Sequence, residues 1–206
     1  MSLISISPEI TQNNIYSLYC FASSLEIYEG KLWYQTANHK AQLICKDTGL
    51  ALWTVSSVIA ALSPRNHWEQ NLIDAHNLCL AYVSGINPNT VRVKTFNQNK
   101  RKAIQLLKAS HESSVSALLK GNKVTAFYRN ILEPTDDTYV TIDAHAFSVW
   151  FNERIPCSKV SNISNELYTR IANDYKAVAK QVGLIPNQLQ AITWLTYRNR
   201  HGLNKR

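Results

Sequence analysis

The sequence predicts an all-α protein, and three observations predict it. Apolar residues recur at three-to-four spacing along most of the chain. Pro and Gly punctuate those stretches where helices start or stop. Only Tyr139–Ile142 reads as extended, and it is short.

The elements follow in order. Asn13 to Ser24 forms a helix with Ile15, Leu18, Tyr19 and either Phe21 or Ala22 inward, and Trp33 to Ile44 forms another. Leu52, Val55, Val58, Ile59 and Leu62 make an apolar face that Pro64 ends. Trp68, Leu72, Ala75, Leu78, Cys79 and Tyr82 repeat the spacing until a turn at Gly85–Asn89, and a basic helical segment runs from Asn97 to Leu107. Val115, Leu118 and Leu119 precede a turn at Gly121, with Phe127, Ile131 and Leu132 after it. Asp143 caps a short helix carrying Ala146, Phe147 and Trp150. The longest late pattern, Ile163 through Val182, stops at Gly183 as a C-cap. Pro186 then opens a last helix with Leu189, Ile192, Trp194 and Leu195, which ends in the basic residues Arg198, Arg200, Lys205 and Arg206.

A chain of 206 residues can build a full core as one domain or two small lobes. Its 45% apolar content argues against disorder. Twenty-two Lys and Arg against 14 Asp and Glu give a net charge of +8, which favours a polyanionic partner, nucleic acid first. Cys20, Cys45, Cys79 and Cys157 lie far apart without a C-x-x-C pair, which excludes a local zinc knuckle or a compact iron–sulfur loop. Four reduced core thiols in a cytoplasmic protein are the expectation, with no metal and no cofactor. No apolar run approaches the ~18 residues of a membrane span, and Met1–Pro8 lacks the charged-then-apolar pattern of a signal peptide. The expectation is a cytoplasmic protein with no membrane partner. The oligomeric state is open, a monomer being the simplest case.

Two short stretches carry the chemistry. Lys120-Gly121-Asn122 can turn with φ > 0 at Gly121, presenting backbone N–H groups at a helix start where a phosphate is favoured. Lys120 and Lys123 add charge to that face, although an ordinary loop with solvated lysines fits the same residues. Asp143 is a good N-cap, and the same placement suits a carboxylate that stabilises positive charge on a deoxyribose as its base departs. His145 either orients a neighbour or packs.

These stretches, with two earlier ones, resemble the helix-hairpin-helix (HhH-GPD) DNA glycosylase superfamily, endonuclease III-like. Val58-Ile59-Ala60-Ala61-Leu62-Ser63-Pro64-Arg65, followed by Asn71–Ala75, is similar to the family's early core helix, its L-S-x-Q turn and the helix after it. Phe96–Ile104 is similar to its Y-N-x-K-A-x-x-I segment, Leu119-Lys120-Gly121 to the L-P-G opening the hairpin, and Ile142–Val149 to V-D-T-H-x-x-R-V. The four pieces keep family order and spacing over roughly residues 52–150. The resemblance implies a two-lobed bundle with a cleft between lobes. Residues 52–150 would be the core lobe, with its hairpin at 119–125, and 1–51 plus 151–206 the second. It implies Asp143 as catalytic carboxylate, Lys120, Gly121, Asn122, Lys123 and Thr125 at the flanking phosphates, and Arg65 filling the gap left by an everted base.

The chain departs from the family pattern in three places. The second Gly of L-P-G-x-G is missing, so the family's lysine position falls on Thr125 without gaps and on Lys123 if the hairpin is shortened. Lys123 would attack the sugar and cut the strand, whereas Thr125 there leaves Asp143 and water to release the base alone. The ungapped spacing favours the second. Glu133–Asp137 keeps a Pro but no Gly before the aspartate, and the four-cysteine cluster of some relatives is absent.

The function expected on this basis is hydrolysis of the N-glycosidic bond of a damaged or modified base flipped out of double-stranded DNA. Lys100, Arg101 and Lys102 would add phosphate contacts. Trp68, Tyr128, Trp150 and His145 are candidates for the base pocket, although aromatic residues at helical spacing also read as core. Two alternatives stand beside this reading. One is action on hypermodified bases in phage DNA modification or defence, and the other is a DNA-binding module that keeps the fold without chemistry.

Overall fold

The computed structural model describes residues 6–156 and 163–203, so Cys157, Lys205 and Arg206 lie outside the described residues. The elements are α1 (Pro8–Cys20), α2 (Ser24–Thr48), α3 (Leu52–Leu62), α4 (Trp68–Val83), α5 (Asn97–Leu107), α6 (Val115–Leu119), α7 (Asn122–Leu132), α8 (Ala144–Phe151), α9 (Asn165–Gln181) and α10 (Pro186–Arg200). The class is all-α. Among the described residues there is no strand, and Tyr139–Ile142 is irregular. No single helix there is long and apolar enough to cross a membrane.

The first two helices differ from the sequence reading. Pro8 occupies the first turn of α1, which stops at Cys20, and of the two alternatives Phe21 is exposed while Ala22 is half-buried. Ser23 and Glu26 then form a capping box. The Ser23 hydroxyl accepts from the Glu26 N–H at 3.2 Å, and the Glu26 carboxylate accepts from the Ser23 N–H at 2.7 Å. This cap starts α2 nine residues before Trp33, and the helix then runs 25 residues without a break.

The chain divides into two compact units, Gln35–Pro134 and the residues up to Tyr34 together with those from Thr135 onward. Helix α2 continues from one unit into the other, and α8 packs with α1 and α10.

In Gln35–Pro134, α3 is the central element. It packs against α4, α5, α6 and α7, and every residue from Thr54 to Leu62 is buried. The apolar stripe read from the sequence is one side of a helix that is covered all round. Ser56, Ser57, Ala60 and Ala61 keep its other sides small enough for neighbours to close in.

In the other unit, α1, α8, α9 and α10 pack around Ile15, Ile142, Phe147, Trp150, Ile171, Tyr175 and Leu189. Asp174 of α9, 2% exposed, collects four donors inside it: Thr11 Oγ1 at 2.8 Å, Gln12 Nε2 at 2.9 Å, Trp150 Nε1 at 2.7 Å and Arg170 Nε at 3.2 Å. The same unit holds a close helix approach. A Cβ on Gly30 of α2 would lie 2.7 Å from both the Cα and the N of Ile192 in α10 and would overlap its Cγ1. Because two of these atoms are backbone, no rotamer change relieves the overlap. Gly30→Ala is therefore expected to destabilise the protein by about 2–3 kcal/mol, at the upper end of overpacking costs. Chemical denaturation checks this, and a change below about 0.5 kcal/mol would contradict the packing.

Candidate functional site

Asp143 sits at the N-cap of α8 and is half-buried. Its Oδ1 accepts from the N–H groups of His145 at 3.0 Å and Ala146 at 2.8 Å, and its Oδ2 accepts from the indole Nε1–H of Trp194 at 3.2 Å. The carboxylate plane is thus fixed by α8 on one side and α10 on the other. Around it lies an aromatic wall. The rings of His145 and Tyr197 are 5.4 Å apart, Tyr197 and His201 are 4.3 Å apart, and Trp33 meets Trp194 edge-on at 6.2 Å.

Arg198 supplies the nearby positive charge, its guanidinium lying 4.5 Å from the centre of the Trp194 ring. Burial pushes the Arg198 group down from its ordinary value, and the Asp143 carboxylate opposes that shift. Tyr168 anchors the approach to α8, accepting from the Ile142 N–H and donating to the Val140 carbonyl at 2.7 Å. An oriented, partly dehydrated carboxylate next to aromatic faces can stabilise a cation forming beside it.

The second candidate region lies in Gln35–Pro134. This unit carries twelve of the Lys and Arg residues against five Asp and Glu, so +7 of the net +8 resides there. Helices α6 and α7 are joined by a two-residue turn in which Lys120 is left-handed at φ 45° and Gly121 has φ 159°, ψ 130°. The positive φ expected of Gly121 alone is thus shared with Lys120. Gly121 keeps a conformation reserved for glycine although a Cβ there would meet nothing, so the requirement is purely conformational. Helix α7 begins without a side-chain cap, which leaves its start suited to an anion. Lys102 of α5 reaches this turn, its ammonium donating to the Leu119 carbonyl at 3.3 Å.

Arg65 is exposed and also left-handed, at φ 57°. Its turn is closed by the Asn66 N–H on the Ser63 carbonyl and pinned on both flanks. Asn66 Nδ2 donates to buried Asp74 at 2.9 Å, and the Thr95 hydroxyl donates to the Pro64 carbonyl at 2.7 Å. Holding an arginine in this region costs about 1–2 kcal/mol, which the surrounding hydrogen bonds offset.

The site residues expected from sequence divide between the units. Asp143, His145 and Trp150 belong to one, and Lys120, Gly121, Asn122, Lys123, Thr125, Arg65, Lys100, Arg101, Lys102, Trp68 and Tyr128 to the other. Lys123 and Arg101 are exposed, Thr125 is half-buried, and the Lys100 ammonium donates to the Asn89 carbonyl at 2.6 Å.

Two of the base-pocket candidates are corrected. Trp150 is fully buried with its indole N–H on Asp174, and Tyr128 is fully buried with its hydroxyl on Glu112 at 3.1 Å, so both rings belong to cores. Trp68 is half-buried edge-on to Phe127, and His145 is half-buried against Tyr197. Among the described residues the cysteines differ too, since Cys20 is exposed, Cys45 half-buried and Cys79 buried. Sequence reasoning missed Trp194, Tyr197 and Arg198 as neighbours of Asp143. The i,i+4 pairs Trp194/Arg198 and Tyr197/His201 mark one face of α10, a signal that was available. Among the described residues no group of three His, Cys, Asp or Glu is placed to hold a metal.

Burial also sets an alkaline limit on the fold. It pushes the hydroxyls of Tyr128, Tyr168 and Tyr175 up, and the Cys79 thiol up to about 12. These groups are neutral in the native state and ionise at about 8.5 (thiol) and about 10 (phenol) once unfolded. Their contribution is complete below those values and is lost as pH rises toward the folded-state values. The melting temperature is expected to fall steeply above about pH 10 and to fall less in Tyr175→Phe. A flat profile from neutral to strongly alkaline pH would contradict this.

No curated protein and no solved structure matches the chain. One family does, over residues 3–201 and hence nearly the whole length. The chain belongs to this family, described as a family of unknown function (DUF7178).

Proposed function

We propose that this protein is a DNA glycosylase that hydrolyses the N-glycosidic bond of a damaged or modified base flipped out of duplex DNA. The observation that carries the reading is Asp143, a half-buried carboxylate oriented by two helix N–H groups and one indole N–H. In that role it stabilises the sugar cation as the base leaves and orients the attacking water. The concentration of charge in Gln35–Pro134 supports the DNA part of the reading, with Lys102, Lys120 and Lys123 near the α6–α7 turn as phosphate contacts. The exposure of Lys123 gives it none of the dehydration that an amine nucleophile uses, which supports release of the base without strand cutting.

A second reading, a DNA-binding module without chemistry, is favoured by one observation: both Asp143 oxygens already serve as hydrogen-bond acceptors within the fold. A panel of duplexes, each carrying a different damaged or modified base, separates the two. Release of a free base from one of them supports the enzyme. Binding to all with release from none supports the module. In either case log K should fall with log salt at a slope of about −0.9 per phosphate contacted, and Lys120→Ser with Lys123→Ser should reduce the slope by about 1–2 units. An unchanged slope removes the turn from the interface.

A further inference from the structure

A cavity of about 410 Å³ opens beside α1, where the C-terminal ends of α8 and α10 meet it. All its lining residues belong to the terminal unit, and Asp143 is not among them. The volume lies within the ~300–1,000 Å³ of small-molecule sites.

The lining combines three kinds of group. Tyr197, 6% exposed, gives a buried aromatic wall, and Phe21, 67% exposed, gives an aromatic surface at the outside. An exposed phenylalanine is ordinary by itself, but this one carries the Arg200 guanidinium 4.4 Å from its ring centre. Arg154 is the second guanidinium. It stands in a turn fixed by Ser148, whose carbonyl accepts from the Glu153 N–H at 3.2 Å and whose hydroxyl accepts from the Ile155 N–H at 3.2 Å. Asn152 enters that turn left-handed at φ 57°, a conformation asparagine tolerates. The amides of Asn13, Asn14 and Asn152, the hydroxyls of Ser17 and Ser148 and the imidazole of His201 complete the polar lining, and Glu153 is its one carboxylate. Two arginines thus outweigh one acid.

This chemistry selects among ligands. An apolar molecule would strand the amides and guanidiniums, and an inorganic anion would leave the aromatic walls and most of the volume unused. A planar aromatic group joined to a dianion uses all three elements: stacking for the ring, amides for its polar edge, and the two arginines of the lining for the phosphate. We infer that this cavity binds a nucleoside monophosphate, either free or as the phosphorylated end of a single strand. The inference does not depend on the proposed activity of Asp143.

Calorimetric titration of the full-length protein with AMP, adenosine and inorganic phosphate tests it. AMP is expected to bind at least about tenfold more tightly than adenosine or phosphate. Arg154→Ser with Arg200→Ser should weaken AMP by about tenfold or more, while far-UV circular dichroism and melting stay unchanged because both side chains are exposed. Asp143→Asn should leave AMP binding as it is, so loss of the glycosylase reading and loss of this site are separate results. A 5′-phosphorylated trinucleotide that competes about tenfold better than AMP identifies a strand end, and one that competes equally or worse identifies the free nucleotide. No heat or displacement with AMP up to about 10 mM, equal affinity for AMP and phosphate, or an unaffected double variant overturns the proposal.

Discussion

Asp174→Ala is expected to lower the unfolding free energy by about 3–5 kcal/mol, the cost of removing one partner from a buried charged network. The carboxylate is almost wholly buried and accepts from Thr11, Gln12, Trp150 and Arg170, so it ties α9 to α1 and α8. Alanine leaves the Trp150 indole N–H buried without an acceptor and separates Arg170 from its ion partner, although Arg170 keeps the Ile6 carbonyl at 3.0 Å. Even Asp174→Asn should be costly, because an NH2 replaces an acceptor facing several donors. For a chain of this length the alanine change corresponds to a melting shift of about 10 °C. A double-mutant cycle with Trp150→Phe isolates the indole bond, with an expected coupling of about 1.5–3 kcal/mol. Additive single effects, or an alanine variant melting within about 2 °C of wild type, would contradict the role given to this carboxylate.

The legible part of the fold was the part written in local signals. Pro64, Gly183 and Pro186 mark helix ends, and the observed α3, α9 and α10 end or begin beside them. The start of α2 was also available locally, because Ser23 and Glu26 have capping-box spacing, but the weak periodicity before Trp33 concealed it. The full burial of α3 was less visible. Its serines and alanines lie outside the apolar face, yet their small size is what admits the surrounding helices. Gly30 gave no warning, since its requirement comes from Ile192, more than 160 residues away.

The site shows the same division between local and distant information. The capping role of Asp143 follows from its position before an apolar helix, and the turn follows from Gly121, although the left-handed residue in it is Lys120. The Trp194 indole on the other carboxylate oxygen, and Arg198 across that ring, depend on how α10 packs against α8. Trp150 and Tyr128 misled because a core aromatic and a stacking aromatic have the same spacing in sequence. Only their buried acceptors, Asp174 and Glu112, distinguish them. Charge was legible as a total, whereas its concentration in one unit emerged only with the division of the chain.

Asp143→Asn provides the sharpest test of the proposed chemistry, because asparagine caps helices about as well as aspartate. The amide oxygen can keep the His145 and Ala146 N–H groups, while its NH2 faces the Trp194 indole in place of Oδ2. The stability change should therefore stay near 1 kcal/mol, the scale of one neutral hydrogen bond. The negative charge is lost entirely. On the base that the duplex panel identifies, the rate of base release should fall on the order of 10³-fold, with duplex affinity unchanged. Trp194→Phe keeps the ring but removes the N–H, so it should lower the rate by about tenfold through misorientation of the carboxylate and leave charge and binding intact. An asparagine variant that releases the base at the wild-type rate would leave residue 143 a helix cap and place the chemistry elsewhere.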